Sequence, residues 1–166
     1  KDIASKEFRL IAEWFNIKEI DIILIETMNS IIEAETCIKA FSKLNKPIWV
    51  SFILKDNHHI LSGETLPSAI KMVKKHNVSA FLVNCSPLYI THKALKVISS
   101  NWDKRWGAYP NLGVGTPEPN GDIKIIHSND NYIKLFYTAT ALGAELLGAC
   151  CGSDSSHINV LNRFKK

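Results

Sequence analysis

The cysteines are the residues of this chain whose positions most clearly suggest chemistry. Cys85 follows the apolar run 80–84, and the adjacent pair Cys150 and Cys151 follows another apolar run. Three thiolates that converge and leave a fourth position open form a catalytic zinc arrangement, because a structural zinc normally takes all four ligands from the protein. Neighbouring residues of a strand point to opposite faces, so the pair can share a metal only where the strand breaks. Gly152 supplies such a break.

Spacing alone leaves other interpretations of these thiols open. Two adjacent cysteines are not a standard metal-ligand spacing, so buried thiols without a metal are one alternative. A redox protein in which Cys150 and Cys151 form a reversible disulfide is another. The fourth thiol, Cys37, lies on the apolar side of a predicted helix and is interpreted as a small buried hydrophobic residue. The consecutive His58 and His59 lie in a polar loop, where solvent exposure is more common than metal binding.

Alternating strands and helices must position these residues. Short runs rich in β-branched residues alternate with segments whose apolar residues recur at helical spacing. The predicted strands cover residues 20–25, 47–54, 80–84, 105–109 and 144–148, and the predicted helices cover residues 8–15, 31–44, 66–76, 88–99, 130–142 and 156–164. The order α(βα)5 predicts an α/β protein with right-handed βαβ units and a parallel sheet. The first run is typical of a strand buried on both faces.

Functional residues of parallel α/β proteins lie at the carboxyl ends of the strands, and all three clustered cysteines follow predicted strands. The one long loop, rich in glycine and proline, covers residues 110–121 and also follows a strand. His157, in the first turn of the last predicted helix, is interpreted as a local hydrogen-bonding residue rather than a catalyst. These positions place the candidate site at one edge of the sheet.

Composition limits the class of protein. The chain has 166 residues, of which 46% are hydrophobic and 22% charged, as in globular rather than disordered proteins. No apolar run approaches the ~20 residues of a membrane helix, so we expect no membrane partner. The net charge of +4 is mild, and aromatic residues do not interleave with basic ones, so we expect no nucleic-acid partner. Four cysteines in this length are not typical of a secreted disulfide framework, so we expect a cytoplasmic protein.

The residues around the cysteines resemble the homocysteine S-methyltransferase family. The matching motifs are Val83-Asn84-Cys85, Tyr109-Pro110-Asn111 and Gly148-Ala149-Cys150-Cys151-Gly152, followed by His157-Ile158. The stretches 24–27, 51–56 and 61–66 resemble the same family, and the matches run in order along nearly the whole chain. The residues of these stretches are most similar to the branch of the family that uses S-methylmethionine or S-adenosylmethionine as the methyl donor.

The resemblance implies a fold, an activity and a site. The fold is the (β/α)8 TIM barrel, and the activity is zinc-dependent transfer of a methyl group from a sulfonium donor to homocysteine, which gives methionine. The implied cofactor is Zn²⁺, and the implied partners are homocysteine and the sulfonium donor. The residues implied to bind zinc are Cys85, Cys150 and Cys151. The residues implied to bind substrate are Glu26, which would hold the amino group, and Asn84, Tyr109 and Asn111, which would shape the pocket around the metal.

The chain also departs from the pattern of this family. Ala149 replaces one of two glycines that usually precede the cysteine pair, which is a minor change. Residues 154–158 stand where the family usually has Thr-Thr-Pro-Glu-His-Ile. Leu112-Gly113-Val114 stands where the family usually has Ser-Gly-Glu, so the donor preference stays open.

The length predicts an incomplete barrel. A TIM barrel has eight strands in about 250 residues, whereas this chain has five predicted strands in 166 residues. We therefore expect residues 1–166 to form a single homocysteine-binding domain of about five βα units whose N-terminal strands are missing. We expect this chain alone to be inactive, with little or no methyl transfer. Possible partners include a second copy that associates through the open barrel edges. The alternative function is a non-catalytic half-barrel that serves as a binding or assembly module.

Overall fold

The computed structural model describes residues 2–113 and 129–164. The helices of this part are α1 (Asp2–Trp14), α2 (Ile31–Phe41), α3 (Leu66–Val73), α4 (Leu88–Asn101), α5 (Asn129–Ala141) and α6 (Ser155–Leu161). The strands are β1 (Ile23–Met28), β2 (Ile48–Ile53), β3 (Ala80–Pro87), β4 (Arg105–Asn111) and β5 (Leu146–Leu147). Short 3-10 helices follow α2 at Ser42–Leu44 and α6 at Asn162–Phe164. Among the described helices, none is long and apolar enough to cross a membrane.

The described strands form one parallel sheet in the order β1-β2-β3-β4-β5. Because sequential strands are neighbours and a helix connects each pair, the chain forms a series of βα units, as the sequence predicts. This arrangement confirms the expected α/β class and a partial barrel. Of the predicted loop at residues 110–121, residues 114–121 lie outside the described residues, and so does Val114 of the departing motif.

The core lies between the sheet and the helices that cover its outer face. Val50 and Phe52 of β2 and Phe81 and Val83 of β3 are fully buried. The rings of Phe52 and Phe81 stack at a centroid distance of 5.6 Å. Apolar burial of this kind is the main favourable term in folding, so the outer face of the sheet anchors the strands whose ends carry the site.

The first strand differs from the sequence prediction. It begins at Ile23 rather than residue 20, and it is not buried on both faces. Ile23 and Ile25 are buried under helices, whereas Leu24 is 44% exposed on the inner face. Successive side chains of a strand point to opposite faces. Helices cover only the outer face of β1, and within the described residues no strand lies opposite the inner face to bury Leu24.

The last strand depends on two glycines. An ideal Cβ at Gly107 of β4 would lie 1.7 Å from the carbonyl oxygen of Leu146, and one at Gly148 would lie 2.9 Å from Cβ of Tyr109. Glycine at these positions lets β5 pair closely with β4. The paired strand is only two residues long, shorter than the predicted 144–148, because the chain leaves the sheet at Gly148 and turns toward the cysteine pair.

Candidate functional site

The structure brings the three predicted metal-binding thiols together. The Sγ atom of Cys151 lies 3.5 Å from that of Cys85 and 3.9 Å from that of Cys150. All three sulfur atoms lie within 4.8 Å of one another. Cys85 belongs to β3, whereas the other two follow β5, so sheet formation joins residues that are far apart in the sequence. No disulfide links them, and all four cysteines of the chain are free.

Local backbone conformations direct these side chains toward one point. Cys85 has a φ of 50°, in the left-handed region, and the pairing of β3 with β4 shifts register between Asn84 and Pro87. Such a bulge re-aims a side chain at the end of a strand. Gly152 has a φ of 79°, so the predicted break after the cysteine pair is confirmed. The backbone N–H of Leu112 donates to the carbonyl oxygen of Cys151 over 3.0 Å, which ties this turn to the end of β4.

The spacing of the thiols fits a zinc ion. A zinc–sulfur bond is about 2.3 Å long, so two sulfurs on a tetrahedral zinc are roughly 3.8 Å apart. The distances of 3.5 and 3.9 Å in the cluster bracket this value. Three sulfur ligands leave the fourth tetrahedral position for another ligand. Cys37 is buried on α2 and is not part of this cluster, as the sequence predicts.

Burial changes the acidity of the cluster. It raises the pKa of the Cys85 thiol well above the ordinary value, and the two neighbouring thiols raise it further. Burial also raises the pKa of the Cys150 thiol. Desolvation disfavours the charged thiolate, and a second thiolate nearby adds repulsion. Both thiols are therefore protonated at neutral pH, and a bound cation is what would deprotonate them.

A network of hydrogen bonds crosses the carboxyl ends of β1 to β4 beside the thiols. We call the residues Thr27, Ser51, Asn84 and Tyr109 the strand-end network. The Ser51 hydroxyl donates to Asn84 Oδ1 over 2.8 Å and contacts the Tyr109 hydroxyl over 2.7 Å. Asn84 Nδ2 donates to Thr27 Oγ1 over 2.7 Å, and the backbone N–H of Thr27 donates to Ser51 Oγ over 3.1 Å. Ser51 and Asn84 are buried, so the network fixes the geometry of four strand ends.

Glu26 lies on β1, one residue before Thr27, and is exposed rather than buried. Exposure leaves the carboxylate hydrated, so no buried cation is needed to balance it. Burial raises the pKa of the Tyr109 phenol, and the nearby carboxylate of Glu26 raises it further.

The two asparagines differ in role. Asn84 uses both ends of its amide within the strand-end network, as described above. Asn111 donates from Nδ2 to the carbonyl oxygen of Cys85 over 3.0 Å, which holds the end of β4 against the thiol-bearing turn. Its Oδ1 atom is buried and has no hydrogen-bond partner among the described residues. Asn111 therefore supports the backbone of Cys85 and keeps one free acceptor.

His157 acts locally, as the sequence predicts. Its Nδ1 atom lies 2.8 Å from Asp154 Oδ1 and 3.1 Å from the backbone nitrogen of Asp154, as part of a capping box at the start of α6. The buried His157 ring packs edge-on against Tyr132 at 5.5 Å. The hydroxyl of Tyr132 donates to the carbonyl oxygen of Gly148 over 2.9 Å. Both residues thus stabilise the segment that carries the cysteine pair.

Sequence reasoning did not include Thr27, Ser51 or Tyr132 among the site residues. Each is an ordinary hydroxyl-bearing residue, and none has a type or spacing that singles it out. The available signal for Thr27 and Ser51 was their position near the ends of strands. For Tyr132 no such signal existed, because α5 brings it to Gly148 only through tertiary packing.

Comparisons of this chain with a family model and with individual proteins point to the same family. The family model described as "Homocysteine S-methyltransferase" matches residues 3–164. The chain is 27% identical over 151 residues to Homocysteine S-methyltransferase 1 of Arabidopsis thaliana, which covers 88% of this chain and 46% of that protein. It is 24% identical over 140 residues to Homocysteine S-methyltransferase YbgG of Bacillus subtilis, which covers 83% of this chain and 44% of that protein.

A solved structure supports the fold. The metallated form of the homocysteine methyltransferase MmuM from Escherichia coli matches with a TM-score of 0.79 at 21% identity. The match covers 97% of this chain and 52% of the other. The chain therefore spans about half the length of the relatives it matches.

Proposed function

Because this chain belongs to the homocysteine S-methyltransferase family, we propose that it takes part in methyl transfer from a sulfonium donor to the thiolate of homocysteine, giving methionine. The donor in this proposal is S-methylmethionine or S-adenosylmethionine. The observation that carries the proposal is the cluster of Cys85, Cys150 and Cys151, whose sulfur atoms lie within 4.8 Å of one another. These thiols would hold Zn²⁺ and leave one position free.

The reaction needs a sulfur nucleophile and little acid catalysis. A bound zinc supplies Lewis acidity, which keeps a thiol in its thiolate form near neutral pH. The homocysteine sulfur then forms a bond to the methyl carbon while the bond from that carbon to the donor sulfur breaks. The electron pair of the broken bond stays on the donor sulfur, which becomes a neutral thioether. No proton has to reach the leaving group.

The chain's own residues orient the substrate in this proposal. The carboxylate of Glu26 accepts hydrogen bonds from the amino group of homocysteine. Asn84 and Tyr109 would shape the pocket around the metal, and their hydrogen bonds to Ser51 in the strand-end network hold them in place. Asn111 fixes the turn that carries Cys85. Holding the nucleophile in place lowers the entropic cost of reaction.

We further propose that residues 1–166 form one homocysteine-binding domain and that this chain alone has little or no methyl-transfer activity. Leu24, on the inner face of β1, is 44% exposed. An open inner face admits water, which weakens electrostatic interactions in the site. The four free cysteines favour a reducing compartment such as the cytoplasm. Self-association through the open edge of β1 stays a prediction.

Zinc content tests the metal site. The chain is purified after growth with zinc, and the metal is measured by mass spectrometry together with the folded fraction by circular dichroism. We expect about one zinc per chain, and loss of most of it in Cys85→Ser. The matched control is Cys37→Ser, which removes a buried thiol outside the cluster and should keep its zinc. A well-folded chain that contains no metal would refute the proposal.

A second measurement separates the proposal from its alternatives. The zinc-loaded chain is incubated with homocysteine and S-methylmethionine, and methionine is quantified against a Cys85→Ser control. Cys85-dependent binding of homocysteine supports the enzyme, whereas ready formation of methionine would refute the prediction that this chain alone has little or no activity. Zinc binding without any binding of homocysteine supports the non-catalytic module instead. A reversible disulfide between Cys150 and Cys151 under mild oxidant, in a chain that never binds zinc, supports the redox protein.

A further inference from the structure

The strand that carries Cys85 breaks its side-chain alternation at this residue. Phe81 and Val83 of β3 are fully buried in the core beneath the helices, and strict alternation would place Cys85 on the same face. Instead, Cys85 has a φ of 50°, an unfavourable conformation for a residue other than glycine, and its Sγ atom lies 3.5 Å from that of Cys151. The position of this thiol therefore depends on the groups that hold the left-handed turn in place.

The next residue, Ser86, holds this turn through its side chain. Ser86 is fully buried, and its hydroxyl donates to the carbonyl oxygen of Asn84 over 2.9 Å. This bond joins the residues on either side of Cys85 and closes a small ring, so the Cys85 torsions cannot change substantially without breaking it. The same hydroxyl accepts from the backbone N–H of Leu54 over 2.8 Å. Both donor assignments follow from the partners, because a carbonyl oxygen only accepts and an amide N–H only donates.

Ser86 also continues the sheet where the regular ladder ends. The last pair between β2 and β3 is Ile53 with Asn84, and Leu54 follows Ile53 directly. The Ser86 hydroxyl thus lies between the Leu54 N–H and the Asn84 carbonyl oxygen. Without it, both groups lose this partner, which is unfavourable in a buried position. The two groups could meet each other only through a shift of the backbone that carries Cys85.

Two further side chains secure the same segment. The hydroxyl of Thr91, fully buried on α4, donates to the carbonyl oxygen of Ser86 over 3.3 Å. The amide of Asn111 donates to the carbonyl oxygen of Cys85 over 3.0 Å. The carbonyl oxygens of three consecutive residues, Asn84 to Ser86, therefore each accept a hydrogen bond from a side chain. Of the donors, Ser86 is the one whose own bonds link both β2 and the residue before Cys85.

We propose that Ser86 is a positioning residue for the metal site, whose buried hydroxyl holds Cys85 in the left-handed conformation that turns its thiol toward the cysteine pair. The inference rests on the proposed function, because it assumes that the three thiols hold zinc. It adds that the affinity for zinc depends on a side chain that acts only through Cys85. Removal of a group that orients a metal ligand typically lowers metal affinity about 10–100-fold.

Metal binding by the folded chain tests this role. The zinc dissociation constant of the full chain is measured by competition with a chromophoric chelator, and the stability of the metal-free chain is measured by urea unfolding. Absorption spectra of the Co²⁺ form report the geometry of the thiolate ligands, since Co²⁺ accepts similar ligands and is coloured. The variants are Ser86→Ala and Thr91→Val. The matched control is Ser79→Ala, which removes a half-buried hydroxyl directly before β3 that donates to the carbonyl oxygen of Ile48 over 3.0 Å.

The expected result is a loss of metal affinity in a chain that still folds. Ser86→Ala should weaken zinc binding about 10–100-fold and alter the Co²⁺ spectrum, because Cys85 no longer keeps its orientation. Thr91→Val keeps the shape of the side chain and removes its bond to the Ser86 carbonyl oxygen, so it should weaken zinc binding by a smaller factor. Ser79→Ala should leave the zinc dissociation constant and the Co²⁺ spectrum unchanged, whatever it does to the stability of the metal-free chain.

Other outcomes overturn the proposal in distinguishable ways. If Ser86→Ala unfolds at lower urea but its folded form keeps the zinc dissociation constant and the Co²⁺ spectrum, Ser86 is structural only. If Ser79→Ala weakens zinc binding as much as Ser86→Ala does, the effect is a general one on β3. If Ser86→Ala does not fold, Thr91→Val decides, and zinc binding equal to that of the unmodified chain refutes the proposal. If the unmodified chain binds no zinc, the proposed function fails and this inference fails with it.

Discussion

Zinc binding to this chain is expected to release protons, and the structure sets the minimum number. Burial raises the pKa values of Cys85 and Cys150 above the ordinary thiol value, so both thiols are protonated at pH 7 before metal binds. Metal-bound thiols are deprotonated. Zinc should therefore displace at least two protons from these two residues. Each displaced proton makes the binding constant rise about tenfold per pH unit, so the affinity should rise about 100-fold or more from pH 6 to pH 7.

Calorimetry in buffers of different ionisation enthalpy measures this proton count directly. The slope of the observed binding enthalpy against the buffer enthalpy gives the number of protons released. Cys85→Ser should lower the count by one, because a serine hydroxyl does not ionise at this pH. Cys37→Ala is the matched control: burial raises the pKa of Cys37 to about 12, yet this thiol lies on α2 outside the cluster, so the count should not change.

Three results would refute this reasoning. Release of fewer than one proton per zinc would mean that the buried thiols are not the ligands or are already ionised. An equal reduction of the count in Cys37→Ala and Cys85→Ser would mean that the protons come from a general change in the fold. A binding constant independent of pH between 6 and 7 would contradict the same argument without calorimetry.

Three further predictions concern stability. Gly107→Ala should lower the free energy of unfolding by more than about 3 kcal/mol and reduce the zinc content, because a Cβ there would lie 1.7 Å from the Leu146 carbonyl oxygen. Urea unfolding and metal analysis measure these two quantities. An unchanged zinc content would contradict the prediction. Asn84→Ala should lower the free energy of unfolding by about 2–4 kcal/mol, measured by urea unfolding, because it removes two side-chain hydrogen bonds and leaves their buried polar partners unpaired. A loss below about 1 kcal/mol would show that these hydrogen bonds do not stabilise the fold. In the metal-free chain, the pKa of Cys37 is raised by burial to about 12, so above about pH 9 the unfolded state loses this proton first. The free energy of unfolding should then fall as pH rises, by up to about 1.4 kcal/mol per unit from this residue. The raised pKa values of Cys85 and Cys150 contribute to the slope with the same sign, so Cys37→Ala should reduce the slope without abolishing it, and an unchanged slope would exclude this origin.

Secondary structure and topology could be predicted because each element carries its own periodicity. Apolar β-branched runs marked β2 and β3, and helical spacing marked the helices between them. The prediction for β1 was wrong about burial, since hydrophobicity shows that a strand can be buried but not whether another layer covers it. Leu24 is apolar and yet 44% exposed for this reason. The pairing of β5 was shorter than predicted, because only Leu146 and Leu147 pair with β4, and the extent of a pairing depends on the partner strand as well as on the segment itself.

The sequence by itself determined the types of functional group and the edge of the sheet at which they lie. Cysteines after two strands, and a glycine after the second, made a metal site one of several interpretations, because strand ends in parallel sheets converge. The resemblance of the surrounding motifs to the family favoured the metal site over the others. Only the tertiary structure decided the distances, such as the 3.5 Å between Cys85 and Cys151. It alone revealed that the hydroxyls of Ser51 and Tyr109 lie 2.7 Å apart. Such distances depend on side chains of four different strands, and only folding brings these strands together.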